Sequence, residues 1–279
     1  WTRSAFQSNI SGAVSIDALW RAASEKQPGP SIILKGLHNE RRIMWSRWHR
    51  PRIGRAVSIV GAAKRLALDA AFPERCFSCG AIVDNAGALC VDCWPKFTFI
   101  GSPMCALCGY PFPHAVSPGA ICAACTKRRP AFDAARAALV YDDTSREIIL
   151  RFKHADRTRY ANAFGAWISR AGAELVPLAD VVVPVPLHPR RLIGRRYNQS
   201  LLLARAVARL GRLPVIPDAL RRLRNTPSQG SLSRGARHRN VQGAFSLRGR
   251  AEVVGKSILL IDDVYTTGAT VEACTHALK

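Results

Sequence analysis

Two groups of residues in this chain have the types and spacing to do chemistry. The first is cysteine. Eight of the nine cysteines form four C-x-x-C pairs, Cys76/Cys79, Cys90/Cys93, Cys105/Cys108 and Cys122/Cys125. A C-x-x-C turn aims two thiolates at one point, and two such turns complete a tetrahedral shell around Zn²⁺ with Zn–S near ~2.3 Å. Gly80 and Gly109 each follow the first pair of a set of four. Glycine there tolerates the positive φ of a tight knuckle turn. The spacing predicts two zinc ribbons in tandem, pairs one and two in the first and pairs three and four in the second. A cross-braced pairing, one with three and two with four, satisfies the same ligand count and stays open. A closed Cys₄ site has no position for a substrate, so its expected role is structural. Four pairs within about 50 residues favour metal over redox use or disulfides. Cys274 stands apart and reads as a small core residue.

The second group is the run "ILLIDDVYTTGAT", residues 258–270. Four apolar residues lead into Asp262 and Asp263. Ligands of open parallel sheets bind beyond the carboxyl ends of the strands. Adjacent carboxylates there can accept hydrogen bonds from a vicinal diol and support Mg²⁺. Thr266, Thr267, Gly268, Ala269 and Thr270 then form a turn into a helix, where backbone N–H groups and hydroxyls suit a phosphate. The plainer reading is a strand ending in a polar cap, since Asp and Thr are ordinary cap residues. No Walker phosphate loop occurs in the chain.

Alternating strands and helices must position these groups. "AALVY" (137–141) reads as a strand, "REIILRFKH" as an amphipathic helix, and 160–173 as a second helix. "ADVVVPVP" and "KSILLID" have the continuous apolar character of buried parallel strands, with a helix at 199–210 between them. This order predicts an α/β domain on a parallel sheet, beginning near Pro130. Residues 53–73 carry a helical pattern that Pro73 stops, and 74–129 hold the cysteines. Residues 1–52 read as a basic extension without a predicted fold, as is common at termini. The chain opens Trp-Thr-Arg and closes "EACTHALK" inside a helical pattern, so it reads as cut at the C-terminus.

Lys and Arg number 41 against 19 acids, a formal net charge of +22. That excess suggests a polyanionic partner or phosphorylated ligands, although a generally arginine-rich surface accounts for part of it. Residues 186–250 contain 15 Arg and one acid, Asp218. Arginine stays charged and grips phosphate in a planar, bidentate way. No apolar run reaches the roughly 18 residues of a membrane span. Without an export signal, the expected location is the cytoplasm.

"LLIDDVYTTGAT" resembles the 5-phosphoribosyl-1-diphosphate (PRPP) binding motif of type I phosphoribosyltransferases. Over roughly 53–279 the chain resembles the ComF family of competence-associated proteins, in the cysteine array, "RFKH", "VPVPLHPRRLIGRRYNQS" and "RNTPSQGSLSRGARHRNVQGAF". The resemblance implies a small double zinc ribbon followed by a type I phosphoribosyltransferase-like parallel-sheet domain, here 130–279 and short of a further strand. It implies that Asp262 and Asp263 hold the ribose diol and that Thr266 to Thr270 bind the 5′-phosphate. Lys153, Arg190, Arg191, Arg195 and Arg196 become diphosphate ligands, and "RNTPSQ" with the basic residues after it becomes a mobile flap. The implied cofactors are two structural Zn²⁺ and Mg²⁺ bound with PRPP. The implied role is in DNA uptake during natural transformation, with single-stranded DNA and proteins of the uptake machinery as candidate partners. Turnover as a phosphoribosyltransferase of nucleotide metabolism is one alternative. A non-catalytic zinc-ribbon factor that binds single-stranded DNA is the other.

Overall fold

The computed structural model describes residues 31–35, 73–84, 87–154, 158, 160–226 and 233–279. The helix expected over 53–73 lies almost wholly outside these residues, as does most of the N-terminal extension. The exception in the extension is Ser31–Lys35, "SIILK", which forms strand β1.

Four strands make the main sheet, in the order β2, β1, β6, β3, with β2 at Ala134–Ala137, β3 at Val181–Pro184 and β6 at Ile258–Asp262. β3 and β6 run parallel, Val183 opposite Leu260. Parallel pairing continues outward through a bridge between Val182 and Val215. β1 is antiparallel to both β6 and β2. The sheet is therefore mixed, with the expected parallel pair at its working end. "AALVY" forms a strand only in part. The β2 ladder ends at Ala137, and the chain then pairs with the ribbon region, Ile100 N–H donating to Ala138 O and Val140 N–H to Thr98 O. Backbone hydrogen bonds thus join the cysteine region directly to the sheet.

The apolar run of β6 is buried on both faces, as expected of a strand covered on two sides. Leu259 and Ile261 face one core with Val182, Leu203, Val207, Ile148, Phe152 and Phe164. The helices on this side are α2 (Asp143–His154), α3 (Tyr160–Ala171) and α5 (Gln199–Gly211). Ile258 and Leu260 face the other core with Val181, Val183, Val271, Cys274 and Phe245. There α8 (Ala269–Leu278) packs with a two-stranded antiparallel sheet of β4 (Leu220–Arg222) and β5 (Phe245–Leu247). Cys274 is fully buried in this core, as its isolation suggests.

Three further short α-helices, α1 (Ala123–Lys127), α4 (Pro189–Arg195) and α6 (Arg234–Val241), lie among the described residues, with a single turn, α7, at Arg250–Val253 and 3-10 turns at Trp94–Lys96 and Val176–Leu178. The segment expected to form a flap leaves β4 and returns to β5, with residues 227–232 of it outside the described set.

Each half of the cysteine array packs on a different face of the sheet. Cys76, Phe77, Cys93 and Phe97 join the first core, where Phe77 lies 5.4, 5.8 and 5.2 Å from the rings of Tyr160, Phe164 and Trp167. Cys108 packs against the second core. Aromatic residues bury large area and add edge-to-face attraction, so the first ribbon is held as part of the domain.

Candidate functional site

The sulfurs of Cys76, Cys79, Cys90 and Cys93 all lie within 4.8 Å of one another, and so do those of Cys105, Cys108, Cys122 and Cys125. The pairing is sequential, and the cross-braced alternative is ruled out. Each first pair is a knuckle: Gly80 N–H donates to Cys76 O at 2.8 Å, and Gly109 N–H to Cys105 O at 2.9 Å. Both glycines have positive φ, +82° and +68°. A Cβ on Gly109 would also stand 2.5 Å from Ala135 O. That closeness comes from Ala135 N–H donating to Leu107 O at 2.6 Å, a bond that docks the knuckle on β2.

The donor chemistry suits a divalent cation. Burial raises the Cys76 thiol, but N–H donors of Cys79, Cys90 and Ser78 outweigh it and bring it down to about 6. In the second set, burial likewise opposes backbone donors at Cys105, which settles at about 7. Cys93, with burial dominant, is pushed up to about 12. Four close thiols cannot all ionise without a compensating cation, and Zn²⁺ supplies that charge. The two tetrads fit two structural Zn²⁺.

The acid pair and the threonine turn open into a cleft of about 580 Å³ beyond the carboxyl ends of β3 and β6. Asp262 ends β6 and is only 6% exposed. Its Oδ1 accepts from Ser200 Oγ at 3.2 Å and from Asp263 N–H at 2.8 Å. Burial, then the neighbouring Asp263 charge, raise its carboxyl to about 7, against the pull of Asp263 N–H, Lys153 and Ser200. Asp263 is half-buried and pairs through Oδ2 with Lys153 Nζ at 3.0 Å. Gly268 takes φ +76° as the N-cap of α8, and a Cβ there would stand 2.9 Å from Tyr265 Oη. Thr267 Oγ1 accepts from Ala269 N–H at 3.4 Å, so this hydroxyl serves the turn itself.

Of the residues singled out in the sequence, Asp262, Asp263, Thr266, Gly268, Ala269, Thr270, Lys153, Arg191 and Arg195 line the cleft. Thr267, Arg190 and Arg196 are not among its lining. Arg190 is exposed in the first turn of α4, where its N–H donates to His188 Nδ1 at 3.3 Å. Arg196 is exposed at the left-handed C-cap of that helix.

Several lining residues escaped the sequence reading: Tyr141, Asp142, Asp143, Arg146, Ser200 and Arg222. "VYDD" repeats the pattern of an apolar strand running into two acids, and that signal was available. Asp142 is the cap of α2, its Oδ1 accepting from Ser145 N–H at 2.9 Å and its N–H donating to Ser145 Oγ at 2.9 Å. Ser200 and Arg222 carry no such signal, because only the packing of α5 and β4 brings them to the acid pair.

The segment "YNQS" joins the walls of the cleft. Asn198 Nδ2 donates to Val185 O at 3.1 Å, while its Oδ1 caps α5 through Ser200 N–H at 3.0 Å. Gln199 Nε2 donates to Lys153 O at 3.2 Å and its Oε1 accepts from Arg195 Nη1 at 3.3 Å. Tyr197 Oη donates to Phe152 O. The carboxylates, the cations and the start of α8 therefore share one concave site with a braced rim.

Among the described residues, no helix is long and apolar enough to cross a membrane. A family model for the double zinc ribbon domain matches residues 67–128. The chain is 29% identical over 223 residues to Competence protein F of Haemophilus influenzae, covering 75% of this chain and 92% of that protein. It is 31% identical to DNA utilization protein YhgH of Escherichia coli, covering 68% of this chain and 83% of that protein. Competence protein ComFC of Bacillus subtilis is 30% identical, with 68% of this chain and 77% of that protein covered. No solved structure matches the chain. The tandem Cys₄ ribbons on an α/β domain, with identity spread over most of the chain and most of each relative, show that this protein belongs to the ComF family.

Proposed function

We propose that this protein binds PRPP with Mg²⁺ and acts in the cytoplasmic handling of DNA during uptake. One observation carries the reading: an acid pair at a strand exit, Asp262 buried and Asp263 half-buried, and a left-handed glycine opening a helix face one cleft, together with Lys153, Arg191 and Arg195. Acids flanked by a helix start on one side and cations on the other suit a pentose whose two ends carry phosphate. Asp263, the more accessible of the pair, accepts from the ribose diol, and Asp262 supports it from behind. The turn at 266–270 takes the 5′-phosphate, and the guanidinium groups of α4 face the diphosphate. A bound Mg²⁺ would neutralise charge on the diphosphate.

Transfer to a nitrogenous acceptor follows from the same placement. The bond from the anomeric carbon to diphosphate oxygen breaks, a bond to the acceptor nitrogen forms, and diphosphate leaves. Fixed carboxylates near the ring stabilise the positive charge that develops there, so catalysis is mainly positioning and electrostatics. The DNA role is inferred from the relatives named for competence and DNA utilization. It is also supported by exposed Arg205, Arg209, Arg221, Arg224 and Arg239, which stand outside the cleft lining and suit a phosphate backbone.

Isothermal titration with PRPP and Mg²⁺ tests the binding. Diphosphate release over a panel of bases tests turnover. Saturable binding with a 1:1 stoichiometry is expected, and its absence in the zinc-loaded protein would refute the donor site.

A further inference from the structure

The second zinc ribbon and the turn that opens α8 are joined by a short stretch of chain, residues 128–132. It leaves α1, which carries Cys125, and leads into β2. On the way it meets α8 and its turn at three places. Arg128 Nη2 donates to Glu272 Oε1 at 3.1 Å, Lys279 Nζ donates to Ala131 O at 2.5 Å, and the Phe132 and Tyr265 rings form a T-shaped pair with centroids 6.3 Å apart. Arg128 is exposed, and an exposed ion pair contributes little by itself. Phe132 is 4% exposed and shares the second core with Ala269 and Val271, so its contact is made inside the protein.

Tyr265 lines the cleft and crowds Gly268, the hinge of the turn. One residue therefore connects the ribbon's exit to that hinge. Glu272 lies in the first turn of α8, where its N–H donates to Gly268 O at 2.8 Å, and its Oε2 stands 3.3 Å from His238 Nε2 of α6. The other side of the ribbon is fixed independently. Ala135 N–H donates to Leu107 O at 2.6 Å and Arg136 Nη1 to Ala106 O at 3.1 Å, which docks the Cys105/Cys108 knuckle on β2. Zinc in the second tetrad would tie this docked knuckle to Cys122 and Cys125, just before residues 128–132, and so fix where that stretch begins. The first tetrad packs instead on the opposite face of the sheet, against α2 and α3, with Arg151 Nη1 donating to Ser78 O at 2.9 Å.

We infer that residues 128–132 are a strap by which the second zinc ribbon holds the 265–270 turn and the start of α8, with Phe132, Tyr265 and Glu272 as positioning residues, so that the turn's grip on a phosphate monoester follows the second zinc and not the first. The two ions then have different roles, although both sit in closed Cys₄ shells. The first braces the core under α2 and α3, and the second sets the place of the turn. The phosphate part rests on the proposed donor site, whereas the strap itself does not. Binding and folding are coupled in Cys₄ sites, so loss of the second zinc frees one end of the strap and lets the start of α8 open locally.

Amide hydrogen exchange of the zinc-loaded full chain tests the strap, and titration calorimetry with ribose 5-phosphate tests its effect on the ligand. Cys108→Ser with Cys122→Ser removes the second zinc, and Cys76→Ser with Cys90→Ser removes the first. Phe132→Leu with Arg128→Gln loosens the strap and keeps both ions. Zinc content and thermal melts check each protein, and the strap variant carries the test if the second-tetrad variant does not fold. In the second-tetrad and strap variants, amides 269–273 are expected to exchange roughly tenfold or more faster than in wild type, with β3 unchanged, and ribose 5-phosphate to bind roughly tenfold or more weakly. The first-tetrad variant is expected to match wild type in both readings. Unchanged exchange at 269–273 in the strap variant overturns the inference. So does an equal acceleration in β3, which would mean general loosening, and so does an equal effect of removing the first zinc. Faster exchange at 269–273 with undiminished ribose 5-phosphate affinity also overturns it, because the strap would then not govern the phosphate. Faster exchange confined to the start of α8, in a protein whose wild type binds neither ribose 5-phosphate nor PRPP, supports the strap and refutes the proposed donor function.

Discussion

Ser200 Oγ stands 3.2 Å from Oδ1 of Asp262, and this hydrogen bond joins helix α5 to the exit of β6 inside the protein. A buried carboxylate with so few donors is hard to ionise. Asp262 is correspondingly raised to about 7. The energetic cost falls on the folded state, and it is placed at the mouth of the cleft.

That cost has a sign that can be measured. An unfolded aspartate ionises near ~3.9, whereas folded Asp262 holds its proton to about 7. Between those values the folded protein binds more protons than the unfolded chain, so this group makes stability fall as pH rises through the window. In metal-free buffer, wild type should therefore lose more melting temperature between pH 5 and pH 8 than Asp262→Asn. Asp263→Asn, at the more accessible carboxylate, should bind PRPP about tenfold or more weakly, for loss of a charge-assisted hydrogen bond. Parallel melts of both proteins check the first part, calorimetry the second. Ser200→Ala removes a donor to the ionised form and should push the upper edge of the window higher.

Sequential pairing of the cysteines makes a distinctive prediction for zinc content. Wild type should carry two zinc ions per chain, and the Cys76→Ser, Cys90→Ser double variant should carry one, since both residues serve the same site. A cross-braced protein would lose both ions in that variant. Elemental analysis of purified protein distinguishes the outcomes. Loss of the first zinc should also loosen the ring cluster around Phe77, since metal binding and folding are coupled in such sites, and the Trp167 fluorescence reports it.

Gly268 is held at φ +76°, with Tyr265 Oη 2.9 Å from where a side chain would begin. Gly268→Ala should cost on the order of 1–3 kcal/mol in urea unfolding, from backbone strain and the displaced tyrosine. It should also weaken PRPP binding, by shifting the turn that opens α8. Unchanged affinity in a destabilised variant would show that the turn has no ligand.

Arg205 and Arg209 lie one turn apart on the exposed face of α5. Binding of single-stranded DNA should weaken steeply with salt and show little sequence preference. Replacing both by Gln should reduce the dependence of log affinity on log salt by about one to two, and leave PRPP titrations unchanged. An unaltered salt slope would place the DNA elsewhere on the protein.

Much of this architecture was legible because it is written locally. A C-x-x-C-G knuckle is set by a few consecutive residues, and its φ values follow from the glycine alone. Four apolar residues running into two acids specify a buried strand and its exit, so Asp262 and Asp263 could be assigned to the end of β6 before any contact was known. The helices at 160–173 and 199–210 followed from periodicity for the same reason. β1 was harder to see. "SIILK" is an adequate strand sequence, but the neighbouring residues gave no sign that it enters the sheet beside β6.

What the sequence determined alone was the inventory of chemistry: eight thiols in two sets, an acid pair at a strand exit, a glycine-hinged turn, and a surplus of arginine. Tertiary structure decided which of these meet. It chose sequential over cross-braced cysteines, because the backbone brings neighbouring pairs within 4.8 Å. It separated Arg191 and Arg195, which line the cleft, from Arg190 and Arg196 on the same helix, because a helix can turn only one side toward a site. It also brought Ser200 and Arg222 to the acid pair from positions 62 and 40 residues earlier in the chain. Such contacts depend on how helices and strands pack across the sheet, and no local spacing encodes them.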